Sequence, residues 1–205
     1  AALPFIVGMP NLAWVDAWFA AVSGVTTTGA EVFADLAELP LSLLYYRMWL
    51  QFLGGLGIVV FAMAWSSLAK EGIVTGVKTD LPGPVNAHSF APKLAEAAQS
   101  LWFMYAALWV ACAVMCHQLG MSVAEATFES MGVVSTGGFG LYNDNMAHYD
   151  ASGIKCMVMI GMLLGSFNYI LHYQFVAMGN FSVYKNNKEF KLYLLLLLVA
   201  AVLSC

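Results

Sequence analysis

The residues best suited to chemistry lie in two short runs of hydroxyls and glycines, Val25-Thr26-Thr27-Thr28-Gly29-Ala30 and Val134-Ser135-Thr136-Gly137-Gly138-Phe139. An offset of 109 residues superposes Asp16 on Glu125, Phe19 on Phe128, Val25 on Val134, Thr26 on Ser135, Thr27 on Thr136 and Gly29 on Gly138. Glycine permits dihedrals that aim successive carbonyls one way. Carbonyl oxygens aimed at an axis replace the water around a desolvated cation. Irregular backbone of this kind survives at membrane depth only when buried in protein or lining a watery cavity. The competing reading is a pair of ordinary extracellular turns, since Thr, Ser and Gly are common turn residues. Two copies, each behind a non-spanning helix and ahead of a span, weigh against it.

The elements that must position these runs belong in lipid. Hydrophobic residues are 61 % and charged residues 10 % of the 205, where a soluble domain carries about a quarter charged; the mean hydropathy is +0.76. Residues 1–13 read as the exit from an earlier helix, broken by Pro4 and Pro10. Asp16 to Val22 then forms a two-turn helix that a Ser23-Gly24 hinge joins to the first run. Met48 to Ala69 is a first span of 22 residues without a formal charge; its Gly54-Gly55-Leu56-Gly57 lets another backbone approach. Lys70 to Lys93 is a polar loop, and Ala97 to Leu119 a second span. Ser122 and Glu125 make a capping box for a short helix ending by Val134. Gly140 to Gly153 is a loop, Cys156 to Met178 a third span, Lys185 to Lys191 a charged loop, and Leu192 to Cys205 the beginning of a fourth span.

The chain begins without a methionine or a basic leader and stops within an apolar run, which reads as an internal fragment. Six lysines (Lys70, Lys78, Lys93, Lys185, Lys188, Lys191) face away from the glycine-bearing runs, against Arg47 and Lys155 on the other side. That asymmetry puts the lysine loops in the cytoplasm and the runs at the outer face. Eight outer acids, among them Glu31, Asp35 and Glu129, would concentrate cations there.

Lesser candidates have plainer readings. Arg47 is expected to snorkel to the interface. Cys112, Cys116, Cys156 and Cys205 read as packing residues, and Cys112, Cys116 and His117 lack a fourth metal ligand. Asn168 and His172, four apart, suggest a helix–helix hydrogen bond. Gly72 to Thr79 has the wrong spacing for a phosphate loop. Two other functions compete with ion conduction: an intramembrane serine hydrolase using Ser166 and His172, and a non-conducting membrane scaffold subunit. The first lacks a nucleophile elbow, and the second leaves the repeat unexplained.

Ser23-Gly24-Val25-Thr26-Thr27-Thr28-Gly29-Ala30, with Gln51-Phe52-Leu53-Gly54-Gly55-Leu56-Gly57-Ile58 and Pro82-Gly83-Pro84-Val85, resembles the Trk/Ktr/HKT superfamily of potassium transporters, its TrkH-type bacterial subunit above all. Gly137-Gly138-Phe139 and Asn168 with Leu171-His172 are similar to that subunit's second unit. The resemblance implies an all-α integral membrane protein of repeated span, pore helix, filter strand and span, four such units standing pseudo-fourfold about one pore. Residues 1–69 would hold the pore loop and second span of the first unit, 70–93 a cytoplasmic loop, 94–178 the whole second unit, 179–191 another cytoplasmic loop, and 192–205 the start of a third unit.

By the same resemblance the filter residues are Thr27, Thr28 and Gly29 with Thr136, Gly137 and Gly138, flanked by Val25, Thr26 and Ser135. A glycine in each unit implies potassium as the transported ion, with no cofactor in this chain. It also implies a multi-pass protein of the cell (inner) membrane, a homodimer with a cytosolic nucleotide-binding regulatory ring and a lipid surround, and no nucleic acid. The mode of transport, channel-like or symport, stays open. The watery setting expected of Gly29 implies that Gly29→Ser leaves expression intact, and the match of Gly137 to Thr28 implies that Gly137→Thr is mild.

Overall fold

Apolar runs bounded by proline, serine and glycine become helices, and the helices meet on small residues. A computed structural model describes residues 1–70, 87–179 and 181–203; the Gly72–Thr79 segment, Pro82-Gly83-Pro84 and Cys205 fall outside them. Among the described residues there is no β-strand. Helix α1 (Leu3–Gly8) carries Pro4 in its first turn, where a missing N–H costs nothing. Helix α2 runs Trp14–Val25, longer at both ends than the two turns expected, so Ser23 and Gly24 lie inside the helix and form no hinge. Helix α3 (Leu41–Lys70) begins just after Pro40 and is 30 residues long, which places Arg47 within it. Helix α4 (Ala87–Gln118) starts ten residues before the expected span. Its Ala98–Gln118 part is the one described segment long and apolar enough to cross a membrane. Helix α5 (Val123–Val134) opens on the capping box, Ser122 Oγ accepting from the Glu125 N–H at 3.2 Å and Glu125 Oε2 from the Ser122 N–H at 2.9 Å.

The third span departs from expectation. It divides into α6 (Ser152–Ser166) and α7 (Tyr169–Met178), with Phe167 in an extended conformation between them. Leu164's carbonyl accepts from the Phe167 N–H at 3.3 Å and from His172 Nε2 at 2.9 Å. His172 Nδ1 accepts from the Tyr184 hydroxyl at 2.7 Å. His172 therefore services the freed backbone of the break, the role polar side chains fill wherever a helix is interrupted in lipid. Helices α8 (Ser182–Asn186) and α9 (Lys188–Leu203) follow, so most of the expected charged loop is helical.

Helix α3 packs against both α2 and α5, while α4 packs against α5 and α6. The core between α3, α4 and α5 holds Met48, Phe52, Tyr105, Cys112, Met131, Val134 and Phe139. Close approach depends on glycine: a Cβ at Gly54 would stand 2.1 Å from the Val25 carbonyl oxygen, and one at Gly165 2.7 Å from that of Val134. Small and large residues trade places between the two crossings. Gly24 abuts Leu50 on α3, whereas Val133, its partner at the 109-residue offset, abuts Gly161 on α6. Cys112 and Cys116 are buried packing residues as expected, but Cys156 is exposed. The apolar side chains of α9, such as Leu195 and Leu198, are exposed in this chain and suit a lipid or protein neighbour.

Candidate functional site

Both short helices end in the same way. In α2 the N–H groups of Thr26, Thr27 and Thr28 reach back to the carbonyls of Val22, Gly24 and Ser23 at 2.8, 3.0 and 3.0 Å. In α5 those of Ser135, Thr136 and Gly137 reach Met131, Val133 and Gly132 at 3.1, 3.1 and 3.0 Å. This double closure is the Schellman motif, in which the residue past the cap takes left-handed dihedrals and is usually glycine. Here that residue is a threonine both times, Thr27 with φ 54° and Thr136 with φ 52°. Two positions on, Gly29 has φ 69° and Gly138 φ 82°, while Thr28 and Gly137 between them are not of positive φ.

A β-branched residue at positive φ is an outlier, costing about 1–2 kcal/mol. It persists only where the surrounding structure over-determines it, most often at functional sites. A handedness that alternates residue by residue turns successive carbonyls toward one side of the chain, whereas an ordinary strand alternates them. The chemistry available is oxygen coordination of a cation without a charged ligand.

The expected site residues fall into place around this geometry. Val25 and Val134 are the last residues of their helices, and Thr26-Thr27 and Ser135-Thr136 form the turn that follows, so the irregular stretch begins only at Thr28 and Gly137. Thr26 Oγ1 shares a hydrogen bond with Thr28 Oγ1 at 2.8 Å, and Ser23 Oγ donates to the Ala30 carbonyl at 2.8 Å. Ser135 is buried, with its hydroxyl on Gly132 O at 3.2 Å. Thr136 and Gly138 are exposed, whereas Gly137 between them is buried. The two stretches touch at Gly29, where a Cβ would lie 1.9 Å from the Gly137 carbonyl oxygen. The expectation that Gly29 tolerates a side chain in open, watery surroundings is thus overturned. So is the mildness of Gly137→Thr, because a Cβ there would come within 2.5 to 2.7 Å of the Gln51 amide.

Several supporting residues escaped sequence reasoning. Gln51, fully buried on α3, donates from Nε2 to the Gly137 carbonyl at 2.8 Å. Asn145 Nδ2 donates to Gly138 O at 3.2 Å. Arg47 does not snorkel. It is 1 % exposed, its guanidinium pairs with Glu31, and it lies 4.3 Å from the centre of the Phe139 ring. The Glu31 carboxylate also accepts from the N–H groups of Val32 and Phe33. Beyond the two stretches, Asn143 donates to Asp35 Oδ1 at 2.6 Å and accepts from the Leu36 N–H at 2.8 Å. The bond from Asn143, with one from the Ala37 amide, holds the exposed Asp35 carboxyl below its ordinary pKa. The available signal was spacing: Arg47 and Gln51 are four apart, hence on one face, in an otherwise apolar helix.

Ser166 and His172 are not joined as a nucleophile and its base. Ser166 Oγ bonds to the Leu163 carbonyl and the Tyr193 hydroxyl, and both His172 nitrogens are occupied. His117 Nδ1 meets the Met121 carbonyl at 2.8 Å, where the chain leaves α4.

A family model described as "TrkH: Cation transport protein" matches residues 2–204. The Trk system potassium uptake protein TrkH of Escherichia coli K12 is 35 % identical over 94 % of this chain and 40 % of its own length. TrkG of the same organism is 33 % identical over 95 % of this chain and 40 % of its own length. The crystal structure of the potassium transporter TrkH from Vibrio parahaemolyticus superposes with a TM-score of 0.79 at 33 % identity, covering 95 % of this chain and 39 % of that one. The chain thus spans about two fifths of the length of these relatives. Its motifs, its helices and these matches agree, and the chain belongs to the TrkH family of cation transport proteins.

Proposed function

We propose that this chain supplies two of the selectivity strands of a potassium-uptake pore. The ion path would run past the backbone oxygens of Thr27, Thr28 and Gly29 and of Thr136, Gly137 and Gly138, with Val25, Thr26 and Ser135 setting the approach. One observation carries the reading: the left-handed threonine followed two residues later by a left-handed glycine, present twice at the same offset of 109 residues. An ordinary turn has no need of a β-branched residue at that position, and its recurrence speaks for a constraint shared by both copies. Potassium is the cargo rather than a resident cofactor, in keeping with the names of the relatives.

The larger architecture belongs to the same proposal: four units about one axis in the cell membrane, with the strands at the outer face and the lysine-bearing loops in the cytoplasm. A homodimer with a cytosolic nucleotide-binding ring on the lysine side follows from family resemblance. The strand reading is tested by Gly138→Ser in the complete polypeptide that carries this chain. The variant is expressed in cells lacking their own potassium uptake, and rubidium and sodium uptake are compared. The rubidium-to-sodium ratio should fall about tenfold, the equivalent of 1.4 kcal/mol. An unchanged ratio at normal membrane abundance removes this strand from the ion path.

A further inference from the structure

Helix α3 belongs to the first unit, yet one of its faces is spent on the second unit's strand. Arg47 lies against Phe139, Gln51 donates to Gly137 O, and a Cβ at Gly55 would lie 2.9 Å from the Ser135 Cβ. Positions 47, 51 and 55 thus meet 139, 137 and 135. The helix therefore runs alongside the second stretch from the turn at Ser135 to Phe139.

The central contact has a particular consequence. The peptide plane between Gly137 and Gly138 is flanked by glycine on both sides, so no Cβ resists its rotation. A flip of that plane would carry Gly138 from φ 82° to the opposite sign at almost no steric cost. It would also turn the Gly137 carbonyl away from its present side. The first strand has a threonine at the equivalent of Gly137, and Thr28 there is tied to Thr26 by a hydroxyl bond of 2.8 Å. Only the second strand carries the Gly-Gly pair, and that is the one held by a fully buried amide. The fit leaves no slack: a Cβ on Gly137 would meet the Gln51 Nε2 at 2.7 Å, and Oε1 of the same amide lies 3.5 Å from a Cβ built on Gly132.

We propose that Gln51 is a positioning residue for ion selection, pinning the Gly137–Gly138 peptide plane of the neighbouring unit in its conducting orientation. The inference rests on the filter reading of this strand. It makes selectivity at the second strand depend on a side chain contributed by the first unit. The bond holds the Gly137 oxygen toward α3 and the Gly29 backbone, and with it the left-handed φ of Gly138 that aims the next carbonyl.

The test is Gln51→Met in the complete polypeptide, which keeps the side chain's length and volume and removes the donor. Membrane abundance and rubidium and sodium uptake are measured together. The rubidium-to-sodium ratio should fall about tenfold while abundance holds. A side chain that matters only for folding would lower both fluxes with abundance and leave their ratio alone, and that result overturns the proposal. Gln51→Leu serves if the methionine variant does not reach the membrane; failure of both assigns Gln51 to folding and overturns it equally. Gly138→Ala favours the flipped plane through its Cβ, so Gly138→Ala with Gln51→Met should resemble the worse single variant. Multiplicative losses would mean that the two act separately, against the proposal. If Gly138→Ser lowers the ratio and Gln51→Met does not, this inference fails and the filter reading stands. If Gly138→Ser has no effect, the filter reading itself is at fault.

Discussion

Replacing Gly29 by alanine should damage the fold rather than merely retune ion choice. Two costs add. The φ of 69° at Gly29 is in the left-handed region, where a Cβ costs about 1 kcal/mol or somewhat more. The new Cβ would also stand 1.9 Å from the Gly137 carbonyl oxygen and 3.0 Å from its carbon. Relief requires a shift of more than about 1 Å by one backbone or the other, since atoms in contact sit about 3.5 Å apart. Neither backbone is free to move, because Gln51 holds the Gly137 oxygen and the Schellman closure holds Thr27 and Thr28. Overpacking of this sort costs about 1–3 kcal/mol, so the total is about 2–4 kcal/mol, roughly a 30- to 1,000-fold loss in the folded-to-unfolded ratio. The assay is thermal unfolding of the detergent-solubilised complete polypeptide, followed by size-exclusion fluorescence, together with its abundance in membranes. Thr28→Ala is the control: it removes an exposed hydroxyl pair and should cost about 1 kcal/mol or less. Wild-type abundance and melting for Gly29→Ala would refute the close contact between the two strands.

The buried ion pair should respond unequally to loss of either partner. Glu31→Ala strands the Arg47 cation in the interior and should cost about 3–5 kcal/mol, whereas Arg47→Met leaves Glu31, which is 34 % exposed, in reach of water and should cost less; thermal unfolding of the two variants side by side checks the order. The loop around Asp35 should loosen in acid. Asp35 has a lowered folded pKa, so its contribution is complete above its ordinary value of 3.8 and is lost as the pH falls below that through the folded pKa. Hydrogen exchange across residues 31–39, once corrected for intrinsic rates, should rise only as the pH falls below 3.8, and Asn143→Ala should diminish that dependence. For topology, cysteines placed at Asp144 and at Lys188 should label from opposite sides of the membrane, the first from outside; labelling of both from one side would overturn the orientation proposed for the strands.

Much of this arrangement was legible in the amino-acid order. Lipid as solvent followed from the near absence of charge, and helices from long apolar runs between proline and serine. The capping box at Ser122 and Glu125 is a local contact between residues three apart, and local contacts are written locally. The 109-residue register paired Thr27 with Thr136 and Gly29 with Gly138, and the backbone shows the same pairing in the sign of φ. Reading stopped where a residue's role depended on a partner far along the chain. Arg47 looked like an interfacial cation because nothing near it says that Glu31 and Phe139 would close over it. Gly29 and Gly137 looked permissive because the atoms that crowd them come from residues 108 and 86 positions away. The break at Phe167 was hidden because the run around it is as apolar as a continuous helix, and His172 and Tyr184 rescue its backbone only once folded. Helix propensity and hydropathy are sums over neighbours in sequence. Steric exclusion and the burial of a polar group are decided by neighbours in space, and only the tertiary structure supplies those.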